Sequence, residues 1–176
     1  MYVYGLVGVS GSGKSHRAAF VADKHNIPLI LDDGLLIYKG RVLAGKSAKR
    51  DQMKIQAIRT AILLEEDHLN EIIEALDKVN EDKILVLGTS MKMIERIVDN
   101  LKLNGIDRTI KIDEIANEEE IKKAIQTRKN EGKHVIPVPK IEVKSKFPGY
   151  FLHSLELFFG KGKGSIKKEK TIVRPK

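Results

Sequence analysis

Short, continuous apolar runs alternate along the chain with longer stretches in which apolar residues recur every third or fourth position. The runs at residues 2–7, 28–31, 83–88, 109–112 and 135–138 have strand length, and 83–88 is continuous rather than alternating. That pattern belongs to strands buried on both faces. Between them, residues 14–25 offer Ala18, Ala19, Val21 and Ala22 for packing. From 48 to 80 the spacing of Met53, Ile55, Ile58 and Ile62, then of Leu69, Ile72, Ile73, Leu76 and Val79, predicts helix. A break is expected at Glu65-Glu66-Asp67, because acids favour a new first turn. A helix over 91–103 is predicted with Ser90 as its cap, Ile94, Ile97, Val98 and Leu101 inward, and Asn104-Gly105 as its stop. Asn117 followed by three glutamates starts another helix, and Gly132 ends it. Two short runs, 35–38 and 41–43, face each other across Lys39-Gly40 as a small hairpin.

Strand and helix alternate from end to end. The expectation is an α/β fold: a mainly parallel, about five-stranded sheet with right-handed crossovers and helices on both faces. The chain of 176 residues has the size of one domain with one proper core. After Phe147-Pro148-Gly149 the pattern loosens. Residues 150–159 are expected to pack back on the core, and Gly160-Lys161-Gly162-Lys163-Gly164 reads as a flexible linker. The predicted organisation is therefore a domain over 1–159 and a flexible basic tail over 160–176. No internal repeat is visible.

Charge sharpens that division. The formal net charge is +8, but residues 140–176 hold 10 of the 32 basic and only 3 of the 24 acidic side chains. The remainder is nearly neutral, so the basic pI says little about the globular part of the chain. The absence of cysteine excludes disulfides and thiolate metal sites and suits a reducing compartment. No apolar run approaches the ~18 residues of a membrane span, and no secretory signal opens the chain. A cytoplasmic setting is expected.

The chemistry is concentrated in residues 8–15, Gly-Val-Ser-Gly-Ser-Gly-Lys-Ser. They satisfy the pattern G-x-x-x-x-G-K-[ST] between a predicted strand and a predicted helix. Glycines at 8, 11 and 13 let the loop curl so that successive backbone N–H groups point inward as an anion nest. The following helix directs its positive end at the same place. The Lys14 ammonium is placed to reach β- and γ-phosphates, and the Ser15 hydroxyl to ligate Mg²⁺. Ser10, Ser12 and His16 flank the same phosphates as binding candidates. The dinucleotide pattern G-x-G-x-x-G fails, since Gly11-Ser12-Gly13 leads into Lys14, Ser15 and His16.

On these residues the chain resembles the P-loop NTPases, and within them the small P-loop kinases and ATPases. Residues 2–24 carry the specific resemblance; beyond them it is architectural. It implies a three-layer sandwich around the parallel sheet and binding of ATP, or less favourably GTP, with Mg²⁺. Guanine selectivity often uses N-K-x-D, which Asn130-Glu131-Gly132-Lys133 does not match. Asp32-Asp33-Gly34-Leu35-Leu36 and the segment 134–139 also resemble an uncharacterised group of bacterial P-loop ATP-binding proteins.

The chain departs from the pattern at the second acidic site. The strand expected to end in a carboxylate, 83–88, ends in Gly88-Thr89-Ser90. The acids available at a strand end are Asp32 and Asp33, as Mg²⁺ or acceptor contacts. Adjacent side chains leaving a strand point opposite ways, so one of the two is expected to face the phosphates. The simpler alternative is that Asp32-Asp33-Gly34 is only a turn. Ser90 is better explained as a helix cap than as a phosphate sensor. Lys46, Lys49 and Arg50 read as solvated lysines and arginine, or else as phosphate or acceptor contacts. Arg128 reads as part of a solvated basic face, or else as a lid arginine. His16 reads as a packing or surface residue, or else as a phosphate neighbour. The five histidines make no H-x-x-x-H pair, which argues against zinc.

Three functions remain open from sequence. One is a Mg-dependent ATPase or small-molecule kinase using Lys14, Asp32 and Asp33, with an unknown acceptor and with Ser15 and Asp32 on the metal. The second is a nucleotide-binding regulatory module with little turnover. The third is a nucleotide-switched binder of nucleic acid or another anionic partner through 140–176, where aromatics and lysines interleave.

Overall fold

The structure, a computed structural model, describes residues 1–131. The predicted strand at 135–138, the segment 150–159 and the basic tail lie outside these residues, as does any partner surface on 140–176.

Among the described residues six strands form one mixed sheet in the order β4-β3-β2-β5-β1-β6. They are β1 (Tyr2–Val7), β2 (Leu29–Asp32), β3 (Leu35–Tyr38), β4 (Arg41–Gly45), β5 (Lys83–Gly88) and β6 (Arg108–Lys111). The helices are α1 (Lys14–Lys24), α2 (Lys54–Ala61), α3 (Glu66–Val79), α4 (Met91–Asn100) and α5 (Glu118–Glu131). Strands β2, β5, β1 and β6 pair in parallel. β3 and β4 run antiparallel.

Four of these six strands run parallel, and the sheet is mixed because the expected hairpin joins it antiparallel; the reason is local. Asp33 and Gly34 both take positive φ, 48° and 85°, as the two central residues of a primed hairpin turn do. The chain leaving β2 is thereby returned antiparallel beside it. The predicted 35–43 hairpin is thus an extension of the main sheet rather than an appendage. Lys39 and Gly40 repeat the device at φ 46° and 83°, laying β4 against β3.

Alternation along the strands sorts the core into two layers. Val3, Leu29, Leu31, Leu36, Ile84 and Val86 face α3 and α4, meeting Ile72, Leu76, Ile94, Ile97 and Val98. Tyr4, Leu6, Ile30, Ile37, Leu85 and Leu87 face α1, meeting Ala18, Val21 and Ala22. β5 lies between β2 and β1 and is buried along both faces from Ile84 to Gly88, which is why its sequence runs apolar without alternation. Each such buried aliphatic side chain contributes about 1.5–3 kcal/mol.

Two predicted boundaries shift. α4 ends at Asn100, with Lys102 at φ 55° reversing the chain before Asn104-Gly105 is reached. The stretch from 48 to 80 divides into a 3-10 turn at Ala48–Arg50, then α2 and α3. Met53, Ile55 and Ile58, helically spaced in sequence, are exposed, at 68%, 71% and 51%. α2 is short and packs through Thr60 and Ala61 at its end, so its apolar periodicity does not mark a core face.

The topology bears on function. The chain leaves β1 through α1 on one face and passes over β5 to β2; it leaves β5 through α4 on the other face and passes over β1 to β6. The two connections diverge at the carboxyl ends of β1 and β5. In open α/β sheets such a divergence opens a crevice in which ligands bind.

Candidate functional site

Residues 8–13 occupy that crevice. Gly8 donates its N–H to the Gly88 carbonyl at the end of β5 (3.3 Å), and Ser12 closes a turn onto the Val9 carbonyl (3.1 Å). Gly8 is required by space: a Cβ there would lie 2.5 Å from Ile112 Cγ2 and 2.9 Å from Ser12 Oγ. Gly13 sits in the left-handed region at φ 89° and caps α1 without a side-chain bond. The amides opening α1 lack intrahelical partners by the geometry of any helix start, and they point into the loop with the positive end of the helix. A loop of this form accepts an anion.

Lys14 arcs back across the loop. Its ammonium donates to the carbonyls of Gly8 (2.6 Å) and Val9 (3.0 Å). Ser12 is buried, and its Oγ has no hydrogen-bond partner. α5 closes the other side: Ala124 Cβ lies 3.6 Å from where a Gly13 Cβ would stand, and Arg17 pairs with Glu120 at 2.7 Å. α5 itself begins with a reciprocal cap. Asn117 Oδ1 accepts from the Glu120 N–H (2.9 Å), and Glu120 Oε2 accepts from the Asn117 N–H (3.1 Å). That backbone bond, with Arg17 beside it, holds the Glu120 carboxyl below its ordinary pKa. His16 is exposed on the first turn of α1, and desolvation followed by the Arg17 charge holds its pKa below the usual histidine value.

The two aspartates take different structural roles. Asp32 ends β2 and is buried, at 4% exposed. Asp33 is the first turn residue. The alternatives read from sequence therefore divide between neighbours: Asp33-Gly34 is the turn, and Asp32 is the buried carboxylate beside the loop. Both carboxylates nonetheless reach one point, because the left-handed Asp33 backbone departs from strand geometry. That point is the ammonium of Lys49, 2.9 Å from Asp32 Oδ2, 3.3 Å from Asp33 Oδ2 and 3.1 Å from Ser15 Oγ. Lys14, Ser15, Asp32 and Asp33 are thus gathered at the crevice, with Ser10, Gly11 and Ser12 in the loop between.

Lys49 was the residue that sequence reasoning undervalued. Its side chain is only 13% exposed, against the solvated reading. The segment bearing it is held in place. Ala48 donates its N–H to the Asp33 carbonyl (2.8 Å), and Lys46 donates its N–H to His68 Nε2 (3.2 Å). His68, 4% exposed on α3, has the same nitrogen 2.8 Å from the Gly34 carbonyl; that nitrogen accepts from Lys46 in one tautomer of the ring and donates to Gly34 in the other. Gly45, at φ 89°, lets β4 pass into this junction; a Cβ there would meet Ile72 Cδ1 at 2.8 Å and the Gly34 carbonyl closer still. His68 was also missed. Its signal was its place four residues before Ile72 on the inward stripe of the helix.

Ser90 caps α4, its Oγ accepting from the Met93 N–H at 3.2 Å. Thr89 Oγ1 turns to Met93 Sδ. No carboxylate follows β5. Among the described residues no three His, Asp or Glu side chains are grouped to hold a metal ion, and no helix is long and apolar enough to cross a membrane. The Ser15–Asp32–Asp33 set, one hydroxyl and two carboxylates already converging on a cation, consists of hard oxygen donors. It fits Mg²⁺, which takes one or two protein carboxylates and completes its shell with water and phosphate. Comparison of the chain with known protein families, curated proteins and solved structures finds no match.

Proposed function

We propose that this chain binds ATP with Mg²⁺ at residues 8–15 and turns it over, as a Mg-dependent ATPase or small-molecule kinase of the P-loop type. One observation carries the reading. The Ser15 hydroxyl and the Asp32 carboxylate converge on a single cationic point beside a glycine loop at the carboxyl end of β1. A surface turn would have no reason to bury an aspartate there, and an anion nest alone would have no reason to gather cation ligands next to it.

The loop amides and the start of α1 would cradle the phosphates. Lys14, whose ammonium already spans the loop, would turn from the Gly8 and Val9 carbonyls to phosphate oxygens. Ser15 and Asp32 would hold Mg²⁺, which supplies charge neutralisation to the transferring phosphoryl group. Asp33 would stand toward the acceptor side. The sheet order supports the P-loop assignment, since the loop lies where the two crossovers part. The test is ADP release by purified protein with Mg-ATP across a panel of acceptors. Release no higher than that of Lys14→Ala throughout the panel would refute turnover.

A second reading, a nucleotide-binding regulatory module with little turnover, has its own observation: β5 ends in Gly88-Thr89-Ser90, and Ser90 serves its helix. It shares the binding site and differs only in rate. Thermal stabilisation by Mg-ATP without ADP release would select it. Nucleic acid or another anionic partner for 140–176 is a third proposal, tested by salt-dependent binding and its loss on deleting 160–176. The absence of cysteine supports a cytoplasmic setting for each.

A further inference from the structure

Lys49 occupies the place of a cation. Its ammonium takes the Ser15 hydroxyl and both aspartates as partners, and it is carried on a segment anchored at Ala48 and Lys46. An ammonium and a divalent ion seek the same hard oxygens and repel each other at such range. Resting on the nucleotide reading above, we infer that Lys49 is a built-in occupant of the divalent-cation position. It keeps free metal off Ser15 and Asp32 until a nucleotide delivers the metal. The consequence is an order of loading: metal–nucleotide binds, and metal alone does not.

The asymmetry has a physical cause. Free Mg²⁺ or Mn²⁺ must displace the ammonium from a buried carboxylate and then lie beside its charge without bringing any anion to offset it. A metal–nucleotide complex brings phosphate oxygens that neutralise the displaced ammonium. Lysine suits the role, being a compact charge on a flexible four-carbon stem that swings a few ångströms without moving its backbone. Asp33, at 3.3 Å, is a partner it keeps during that movement.

The test uses the full chain and Mn²⁺ without nucleotide, with bound metal read by electron paramagnetic resonance. Lys49→Met keeps the stem and removes the charge. It is expected to bind Mn²⁺ tighter than wild type by about tenfold or more, since a unit charge within a few ångströms of the metal is removed. Mn²⁺ should raise the melting temperature of Lys49→Met and not that of wild type. Lys49→Arg should stay as weak as wild type, and the Asp32→Asn, Lys49→Met double variant should lose the gain. Unchanged or weaker Mn²⁺ binding by folded Lys49→Met would overturn the inference, as would a gain that survives loss of Asp32. If Lys49→Met does not fold, wild type decides through the ¹³C resonance of Lys49 Cε, assigned with Lys49→Arg. Mg-ATP should move it and Mg²⁺ alone should not; an equal response to both overturns the inference. ATP in EDTA, compared between wild type and Lys14→Met, separates the two readings. Stabilisation lost in Lys14→Met supports nucleotide binding whatever Lys49 does. A Mn²⁺ gain in Lys49→Met without any response to ATP supports the lysine and refutes the nucleotide.

Discussion

Replacing Asp32 by Asn tests the site and the fold together. The carboxylate is 4% exposed and its Oδ2 lies 2.9 Å from the Lys49 ammonium. Breaking a buried pair by neutralising one member typically costs about 3–5 kcal/mol, mostly from the charge left behind. Here that charge is not abandoned, because Asp33 Oδ2 remains at 3.3 Å and Ser15 Oγ at 3.1 Å. We therefore expect about 2 kcal/mol of lost stability, which in a domain of this size lowers Tm by about 4–8 °C. Adding Lys49→Met to Asp32→Asn removes the partly compensated charge, so the double variant should recover most of that loss and the cycle should be strongly non-additive. Circular dichroism melts of the four proteins measure this. Mg-ATP at about 100 times its Kd should stabilise wild type by about 2.7 kcal/mol and Asp32→Asn by much less. If Asp32→Asn melts with wild type and gains as much from Mg-ATP, the carboxylate neither pairs with Lys49 nor serves the metal, and the account of the site fails.

Gly8→Ala should cost about 1–3 kcal/mol and weaken nucleotide binding, because its Cβ would press on Ile112 and Ser12 across the loop; denaturant melts and titration calorimetry check it, and a neutral result would show that the loop yields freely. Ile94→Ala, at a side chain with no exposed surface between β1, β5 and α4, should cost about 2–5 kcal/mol by urea unfolding while leaving the loop intact. Glu120 has its pKa depressed by the cap bond first and Arg17 as well. Its contribution to α5 is therefore fully present above the ordinary glutamate pKa and is lost as pH falls through the lower folded value. Amide shifts of α5 should report its loosening on acidification below the ordinary glutamate range, and Glu120→Gln should loosen it already at neutral pH; an α5 indifferent to both would refute the cap as its anchor.

Much of the fold was legible. The continuous apolar runs marked β1, β2 and β5 because strands covered on both faces admit no polar alternation. Asn117 and the glutamates after it announced α5 because the cap is satisfied within four residues. The glycine loop was legible too, since Gly8, Gly11, Gly13 and the Lys14-Ser15 helix start are neighbours in sequence, although Gly8 is also held against Gly88 and Ile112. Sequence by itself determined these features because each is decided by neighbours along the chain.

The rest depended on contacts between distant segments. The apolar spacing of Met53, Ile55 and Ile58 pointed inward, yet only packing decides which stripe of a helix meets a core, and here that stripe faces solvent. Adjacent aspartates at a strand end have no readable roles until the turn is built; the left-handed backbone at Asp33 then leaves Asp32 buried and brings both acids to one cation. Lys49 stands 34 residues from Ser15 and 17 from Asp32. Nothing local separates it from Lys46 or Arg50. What makes it part of the site is the passage of β4 over Gly34 at Gly45, the hold of His68 on that junction and the bond from Ala48 to the turn. Sequence determined where the chain curls into a glycine loop before α1, because backbone curvature is local. Tertiary structure decided where the Lys49 ammonium sits, because the groups it meets, Ser15 on α1 and Asp32-Asp33 at the end of β2, come from two other parts of the chain.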